Sequence, residues 1–244
     1  MTPEPRVQVF TDATALAAAA AADMVACLQA ARVNPCPVTI ALSGGRVAMP
    51  LFRHLASLLA ARPELVRRLH WFWADERAVP PDHTDSNYGL ARKHLLEPLH
   101  IPPGQQHRIH GELPPMEAAA LADVALRDRA ETTCGGVPAL DVVWLGMGED
   151  GHVASLFPNC RVELPHPSST YGVVQDAPKP PPVRITLTWH ALTAARNILV
   201  LVAGPGKATA FQRALQGDTA LPLARLLRMR PDTRLYVEND ALRK

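Results

Sequence analysis

The sequence lacks an excess of charge of either sign. Its 25 lysine and arginine residues are nearly balanced by 23 aspartate and glutamate residues, which leaves a formal net charge of +2 at pH 7. A surface for nucleic acid or for an anionic membrane is not expected, because such surfaces need clustered, uncompensated cations. A small anionic ligand, held by a few local cations, is compatible with this balance.

Cysteine is scarce and shows no metal-binding or redox spacing. The chain has 4 cysteines and no C-x-x-C pair. This density does not suit a disulfide framework, so we expect reduced thiols, a cytoplasmic location and no catalytic role for cysteine. The residues concerned are Cys27, Cys36, Cys134 and Cys160.

Long uninterrupted apolar runs are also absent. No stretch of about 18 consecutive apolar residues occurs, which argues against a membrane-spanning helix. The alanine-rich segment 13–22 lies between Asp12 and Asp23, and no basic cluster precedes it, as one would in a signal peptide. We expect an amphipathic helix here, capped by Thr11 or Asp12 and ending near Arg32, and no membrane partner.

The sequence does contain short apolar segments that alternate with helical patterns. Strands are predicted at 38–42, 69–74, 140–146, 184–189, 198–204 and 233–238, and further helices at 50–59, 86–96, 116–131, 207–215 and 223–227. This alternation predicts a three-layer α/β sandwich, with a mostly parallel, modified Rossmann-like sheet and helices on both faces. Seven prolines between Pro158 and Pro182 predict an irregular excursion but no second core, so we expect residues 1–244 to form one domain.

Polar residues follow three of the predicted strands directly. These segments are SGG at 43–45, DER at 75–77 and GMGEDGH at 146–152. In parallel α/β sheets, ligands bind in the crevice beyond the carboxyl ends of the strands. The three polar segments are therefore expected to converge on one rim of the sheet.

The segment GMGEDGHVASLFP, residues 146–158, matches the G-x-G-x-x-G pattern of dinucleotide-binding turns. Such a turn must lead into a long helix that receives the pyrophosphate, but Pro158 interrupts the chain soon after Gly151. Glu149 and Asp150 would also repel a pyrophosphate. The pattern therefore does not predict a dinucleotide site.

The same glycines instead predict a tight strand exit that presents Asp150 and His152 to the crevice. Histidine titrates near working pH, and a neighbouring carboxylate can orient it to accept a proton from water. His152 is therefore the candidate general base. The alternative is a loop histidine that only bonds its own turn.

Two further strand-to-helix turns carry groups suited to phosphate. Ser43, Gly44 and Gly45 resemble a small phosphate cradle, because glycines expose backbone amides before a helix. Lys207 lies in AGPGK at another such turn, and Arg184 opens a strand after the proline-rich excursion. Each cation could make a charge-assisted bond to a phosphate or could be a solvated turn residue.

Taken in order, SGG, WADERAVPPDHTDSNYGLARKHLL, LGMGEDGHVASLFP, RITLTW and AGPGK resemble the 6-phosphogluconolactonases of the pentose phosphate pathway. They are more distantly similar to the glucosamine-6-phosphate deaminases. The resemblance implies hydrolysis of the sugar-phosphate lactone 6-phospho-D-glucono-1,5-lactone, without a metal ion or an organic cofactor. A lactone carbonyl needs an activated water and a stabilised oxyanion, which a histidine and cationic or amide donors can supply.

The resemblance also assigns roles to individual residues. His152 is the expected base, Asp150 its orienting partner or a contact to sugar hydroxyls, and Arg77 a stabiliser of negative charge or a substrate clamp. The groups expected to bind the phosphate are the Gly44 and Gly45 amides, Arg184 and Lys207, with Ser43 beside them, and those expected to shape the pocket are Asp75 and Asn87.

Two positions decide how far the resemblance extends. The lactonases usually have serine or threonine after the two glycines, where this chain has Arg46, so a hydroxyl contact to phosphate is replaced by a guanidinium that could bind the phosphate or point outward. The deaminases have a glutamate five residues after the histidine, where this chain has Phe157, which favours the lactonase. A noncatalytic sugar-phosphate sensor is the remaining alternative, and we expect a monomer or a homodimer.

Overall fold

The structure is a computed structural model that describes residues 5–31, 37–133 and 135–242. The strands are β1 (Arg6–Phe10), β2 (Val38–Leu42), β3 (Leu69–Trp73), β4 (Asp75–Arg77), β5 (Glu131–Thr132), β6 (Pro138–Ala139), β7 (Val142–Gly146), β8 (Tyr171–Val174), β9 (Arg184–Leu187), β10 (Asn197–Val202) and β11 (Arg234–Glu238). The α-helices are α1 (Ala13–Ala30), α2 (Ala48–Ala60), α3 (Pro63–Val66), α4 (Asn87–Ala91), α5 (Pro115–Arg129), α6 (Trp189–Ala194), α7 (Ala208–Leu215) and α8 (Pro222–Met229). A π-helical turn at Arg92–Leu96 continues α4, and short 3-10 turns lie at Pro103–Gln105, Pro205–Lys207 and Asn239–Ala241.

Six parallel strands form the main sheet, in the order β1-β11-β10-β7-β2-β3. Strand β2 is buried throughout, and β7 and β10 are buried over most of their length, as expected for central strands covered on both faces. The predicted α/β fold with a mostly parallel sheet is therefore confirmed. Strand β1, which the sequence analysis did not predict, is mostly exposed and joins the sheet at its edge by pairing with β11.

The helices cover the sheet according to the direction in which the chain crosses it. Asp12 caps α1 by accepting bonds from the amides of Thr14 and Ala15, and α1 packs against α2. The chain passes from β2 to β3 in one direction along the sheet and from β10 to β11 in the other. Right-handed crossovers therefore place α2 on one face and the pair α7 and α8 on the opposite face.

Helix α1 meets the length and composition expected of a membrane-spanning helix, although the sequence has no uninterrupted apolar run of that length. The expectation that the chain has no membrane-spanning helix therefore stays a prediction. In this structure the helix buries Leu16, Ala20, Met24 and Leu28 in the core. The predicted end of this helix near Arg32 and the predicted reduced thiols of Cys36 and Cys134 lie outside the described residues, whereas Cys27 and Cys160 are free thiols.

A second, antiparallel sheet lies beside the main one, in the order β4-β9-β8. The DER segment was predicted to be a polar end to β3, but it forms strand β4, and Arg77 pairs with Arg184 of β9. The proline-rich excursion was predicted to be irregular, yet it contains strand β8, which is fully buried. Strands β4 and β8 both form by pairing with β9. Each is short, so neither has the length or the local sequence pattern that would predict a strand.

Candidate active site

The polar segments that follow the parallel strands meet in one cleft of about 300 Å³. This volume lies at the lower end of the range for small-molecule sites. The sequence-predicted residues that line the cleft are Ser43, Gly44, Gly45, Arg46, Asp75, Arg77, Asn87, His152, Arg184 and Lys207. Asp150 does not line it. The predicted convergence on one rim is therefore what the structure has, and the roles of these residues remain predictions.

His152 and Asp150 form a hydrogen-bonded pair at the end of β7. The distance from His152 Nδ1 to Asp150 Oδ1 is 2.5 Å, and the His152 amide donates to the same oxygen over 3.3 Å. In the described part of the chain, the other ring nitrogen, Nε2, has no hydrogen-bond partner. When the neutral ring donates through Nδ1, Nε2 is left as an acceptor on the ring that faces the cleft.

The charge of Asp150 matches this orienting arrangement. Burial would raise the pKa of Asp150, but the hydrogen bond and the electrostatic interaction with His152 outweigh burial and lower the pKa. The carboxylate is therefore ionised at neutral pH. Its position behind His152 and outside the cleft lining favours the orienting role over a contact to sugar hydroxyls.

A short turn and helix α8 hold this pair in place. The Gly148 amide donates to the His152 carbonyl over 2.9 Å, and the Leu223 amide of α8 donates to the Gly151 carbonyl over 3.0 Å. Gly151 has a φ of +79°, a backbone region that favours glycine. The turn that presents the imidazole therefore depends on α8, which is distant in sequence.

Asp75 is a buried carboxylate that lines the cleft and joins several of its segments. Its carboxylate accepts from the hydroxyls of Ser43, over 3.0 Å, and Ser155, over 2.8 Å. Asn87 Nδ2 donates to the Asp75 carbonyl over 2.9 Å. A Cβ on Gly44 would lie 1.9 Å from Asn87 Oδ1, so only glycine leaves room for this carboxamide. Asp75 thus ties the ends of β2 and β3 to the segment after His152. The sequence analysis missed Ser155, which no local spacing pairs with Asp75.

Glu76 is a buried residue whose carboxylate bonds the start of α4. Its buried carboxylate accepts from the backbone amides of Arg77, Asn87 and Tyr88 and from the Ser86 hydroxyl, over 2.7 to 3.0 Å. Burial raises the pKa of Glu76 to about 7, although these four donors oppose the rise. Glu76 therefore holds the backbone amides of Arg77 and Asn87, two residues that line the cleft.

Five cations line the cleft: Arg46, Arg77, Lys179, Arg184 and Lys207. Lys207 is only 8% exposed, and burial together with the charge of Arg46 lowers its pKa to about 8. Arg184 is only 4% exposed and donates to the carbonyls of Lys179, Pro180 and Pro181. Buried cations with few carboxylate partners favour an anionic ligand.

Arg77 retains donor capacity toward the cleft. Its Nη1 donates to the Asp85 carbonyl over 2.5 Å, and its Nη2 has no hydrogen-bond partner in the described part of the chain. The Nε is also unpaired there but is buried, so Nη2 is the donor available to a ligand. Arg77 also lies opposite Arg184 in the small sheet. The two guanidinium groups therefore approach the cleft from neighbouring strands.

Glu149 and Lys179 line the cleft, although the sequence analysis predicted neither as a site residue. Arg46 Nη2 donates to Glu149 Oε1 over 2.6 Å, and Lys179 Nζ lies 3.8 Å from Glu149 Oε2. The Arg46 side chain, 71% exposed, therefore points toward the cleft mouth as a partner of Glu149. The sequence had left open whether Arg46 binds the phosphate or points outward. Arg46 lines the cleft and is mostly exposed, so its role stays a prediction.

Within residues 5–31, 37–133 and 135–242, no group of three or more His, Cys, Asp or Glu side chains could hold a metal ion.

A parallel α/β sheet with a carboxylate-held histidine and five cations in one cleft defines an enzyme site for a small anionic substrate.

The particular family follows from comparison with known proteins. The family model described as glucosamine-6-phosphate isomerases/6-phosphogluconolactonase matches residues 11–235, and the chain belongs to this family. The 6-phosphogluconolactonase of Homo sapiens is 39% identical over 223 residues, which cover 89% of this chain and 84% of that protein. The 6-phosphogluconolactonase of Mycobacterium tuberculosis is 36% identical over 249 aligned positions, which cover 98% of this chain and 97% of that protein.

Solved structures agree with these relatives. The 6-phosphogluconolactonase from Trypanosoma cruzi superposes with a TM-score of 0.83 and 27% identity, over 99% of this chain and 97% of that one. A monomeric glucosamine-6-phosphate deaminase superposes with a TM-score of 0.76 at 18% identity, over 98% of this chain and 100% of that one, which shows a shared fold alone. The predictions of the family and of a lactonase-type hydrolase are therefore confirmed.

Proposed function

We propose that this chain hydrolyses 6-phospho-D-glucono-1,5-lactone to 6-phospho-D-gluconate in the oxidative pentose phosphate pathway. The observation that carries the proposal is the His152–Asp150 pair, which lies at the edge of a cleft lined by five cations. The names of the similar proteins support the same substrate. Hydrolysis of a lactone that bears a phosphate needs both a base that activates water and cations that bind the phosphate.

In the proposed reaction, His152 Nε2 takes a proton from water while Asp150 accepts a hydrogen bond from Nδ1. The water oxygen bonds to the lactone carbonyl carbon, and the carbonyl electron pair moves to oxygen to form an oxyanion. Collapse of this intermediate breaks the bond from that carbon to the ring oxygen, which takes the proton back from Nε2. One water is consumed, His152 returns to its starting state, and no bond to the enzyme forms. The carboxylic acid so formed releases its proton to solvent at neutral pH to give the gluconate.

The remaining residues have proposed roles in binding. Arg77, whose Nη2 lacks a hydrogen-bond partner in the described part of the chain, stabilises the oxyanion or clamps the substrate. Lys207, Arg184 and the Gly44 and Gly45 amides hold the phosphate, at the far side of the cleft from the reacting carbon. Asp75 and Asn87 shape the pocket between them.

The deaminase alternative lacks an acid at the position that would assist ring opening. Phe157 lies there, and its ring centroid is 4.4 Å from that of His152. An apolar ring beside the imidazole offers no proton donor, which supports the lactonase. A sensor would need the phosphate grip alone, and a carboxylate-oriented histidine would be superfluous to it.

One assay tests the proposal against both alternatives. The lactone is generated in situ with glucose-6-phosphate dehydrogenase, and formation of 6-phosphogluconate is followed with the wild-type chain, with a His152→Ala variant and without protein. Acceleration by the wild type alone supports the lactonase. Turnover of glucosamine 6-phosphate in a parallel assay would indicate a deaminase, and binding without turnover of either compound would indicate a sensor.

We also propose a cytoplasmic enzyme with one domain that needs no cofactor. The monomer or homodimer expected from the sequence stays a prediction, and size-exclusion chromatography with light scattering tests it.

A further inference from the structure

In the part of the chain that the structure describes, the carboxylate of Glu149 is paired only with cations of the cleft. Glu149 lies in the same turn as His152, and its two oxygens face Arg46, at 2.6 Å, and Lys179, at 3.8 Å. These cations come from two other loops, the turn after β2 and the proline-rich segment before β9. One carboxylate therefore joins three loops at the cleft mouth.

Glu149 also lies beside the turn that carries Lys207. A Cβ on Gly206 would lie 3.1 Å from the Glu149 carboxylate, so the side chain packs on the Pro-Gly-Lys turn itself. Burial and Arg46 lower the pKa of Lys207, and the charge of Glu149 opposes them. The carboxylate is thus close to three of the five cations that line the cleft.

The second carboxylate that lines the cleft behaves differently. Asp75 is buried and is held by the hydroxyls of Ser43 and Ser155. Glu149 is 41% exposed, and an exposed ion pair is weak enough to exchange for a stronger anion. A phosphate dianion that approaches Arg46 and Lys179 therefore meets a carboxylate already paired with both.

We propose that Glu149 is a specificity-determining residue that competes with the substrate phosphate for Arg46 and Lys179. The proposal rests on the proposed function, because that function assigns the phosphate to Lys207, whose turn Glu149 contacts. It implies that phosphorylated ligands bind less tightly than the cations alone would permit. It also implies that the restraint applies only to ligands that carry a phosphate.

The test replaces the charge and keeps the shape. In Glu149→Gln, we expect the KM for the phosphorylated lactone to fall by about three- to tenfold, since one negative charge leaves a partly exposed site. The Kd of 6-phosphogluconate, measured by calorimetry, should fall by the same factor. The KM for unphosphorylated gluconolactone and the kcat for both lactones should not change.

Two matched variants separate charge from other effects. Glu149→Asp keeps the charge, and we expect its KM to stay within about twofold of the wild type, since the carboxylate remains near the cations. Glu117→Gln removes an equal charge from the exposed surface of α5, away from the cleft, and should leave KM unchanged. A fall in KM that Glu117→Gln reproduced would overturn the proposal, because it would reflect net charge.

The other outcomes are equally decisive. A raised KM in Glu149→Gln would show that Glu149 positions Arg46 for the phosphate, and an unchanged KM would show that phosphate binds elsewhere; either result overturns the proposal. Tighter binding of 6-phosphogluconate by the variant, without lactone hydrolysis by the wild type, would reject the proposed function and retain this inference. Lactone hydrolysis by the wild type, with an unaltered affinity of Glu149→Gln for 6-phosphogluconate, would retain the proposed function and reject this inference.

Discussion

The imidazole of His152 occupies the space directly over Gly148. A Cβ at position 148 would lie 2.0 Å from His152 Nδ1 and 2.6 Å from Asp150 Oδ1, inside the hydrogen bond that joins them. Glycine at this position is therefore a requirement of the histidine–carboxylate pair, and any larger residue must displace one of its members.

This relationship predicts the effect of Gly148→Ala. We expect kcat for lactone hydrolysis to fall by about a hundredfold or more, the loss associated with a displaced general base, while the fold persists. Circular dichroism and thermal melting check the fold. Gly104→Ala is the matched control, because a Cβ at Gly104 meets nothing within 4 Å, and it should leave kcat unchanged. Wild-type kcat in Gly148→Ala would show that the pair tolerates displacement.

Removal of the base itself is the second prediction. His152→Ala should lower kcat by about a hundred- to ten-thousandfold relative to the wild type, with little change in melting temperature. Asp150→Asn should lower kcat by a smaller factor, since it changes the group that holds Nδ1 and leaves the imidazole in place. The exposed His190→Ala serves as control. Turnover of His152→Ala near that of the wild type, measured above spontaneous hydrolysis, would remove His152 as the base.

The third prediction concerns the pH dependence of phosphate binding. The pKa of Lys207 is lowered to about 8, so its charge is lost as the pH rises through 8, and the affinity for phosphate should fall in the same range. Phosphate esters are already dianions there. We expect the Kd of 6-phosphogluconate to rise between pH 7 and 9 in the wild type. In Lys207→Ala, Kd should be raised about tenfold at pH 7 and should lose most of this pH dependence. An equal rise with pH in Lys207→Ala would assign the titration to another group.

Arg184 should differ from Lys207 in its effect on stability. Its guanidinium donates to three carbonyls of residues 179–181, so Arg184→Ala removes a phosphate contact and also frees that segment. We expect both a raised KM for the phosphorylated lactone and a loss of about 2 kcal/mol in the free energy of unfolding. Urea denaturation measures the second quantity. A Lys207→Ala variant destabilised to the same extent would contradict this distinction.

Glu76 should make the free energy of unfolding depend on pH. Its pKa is raised from 4.5 to about 7 in the folded state, so the folded chain binds more protons than the unfolded chain between these values. The contribution is complete below about pH 4.5 and is lost as the pH rises through 7, on the order of 3 kcal/mol. In Glu76→Gln this part of the pH dependence should vanish. Urea denaturation at pH 5 and pH 7.5 checks it, and an unaltered difference between the two would contradict the shift.

The sequence by itself determined the fold class, most strands of the main sheet and the turn that carries the histidine. Apolar runs of five or six residues that alternate with helical patterns are local features, and so is the spacing of Gly148, Asp150 and His152. These residues lie within one turn, so their proximity is local, although the Leu223 amide of α8 also holds that turn. The carboxyl ends of the strands also converge, because parallel strands all end at the same edge of the sheet.

Only the tertiary structure decided which distant groups meet in the cleft. Strand β8 is formed by pairing with β9, and Ser155 reaches Asp75 across 80 positions of sequence. Glu149 contacts Arg46 across 103 positions of sequence. This ion pair is what the arginine at the usual serine or threonine position beside the two glycines makes in the structure. Such contacts depend on how the packed core brings together loops from separate strands. The spacing of residues along the sequence does not predict that arrangement.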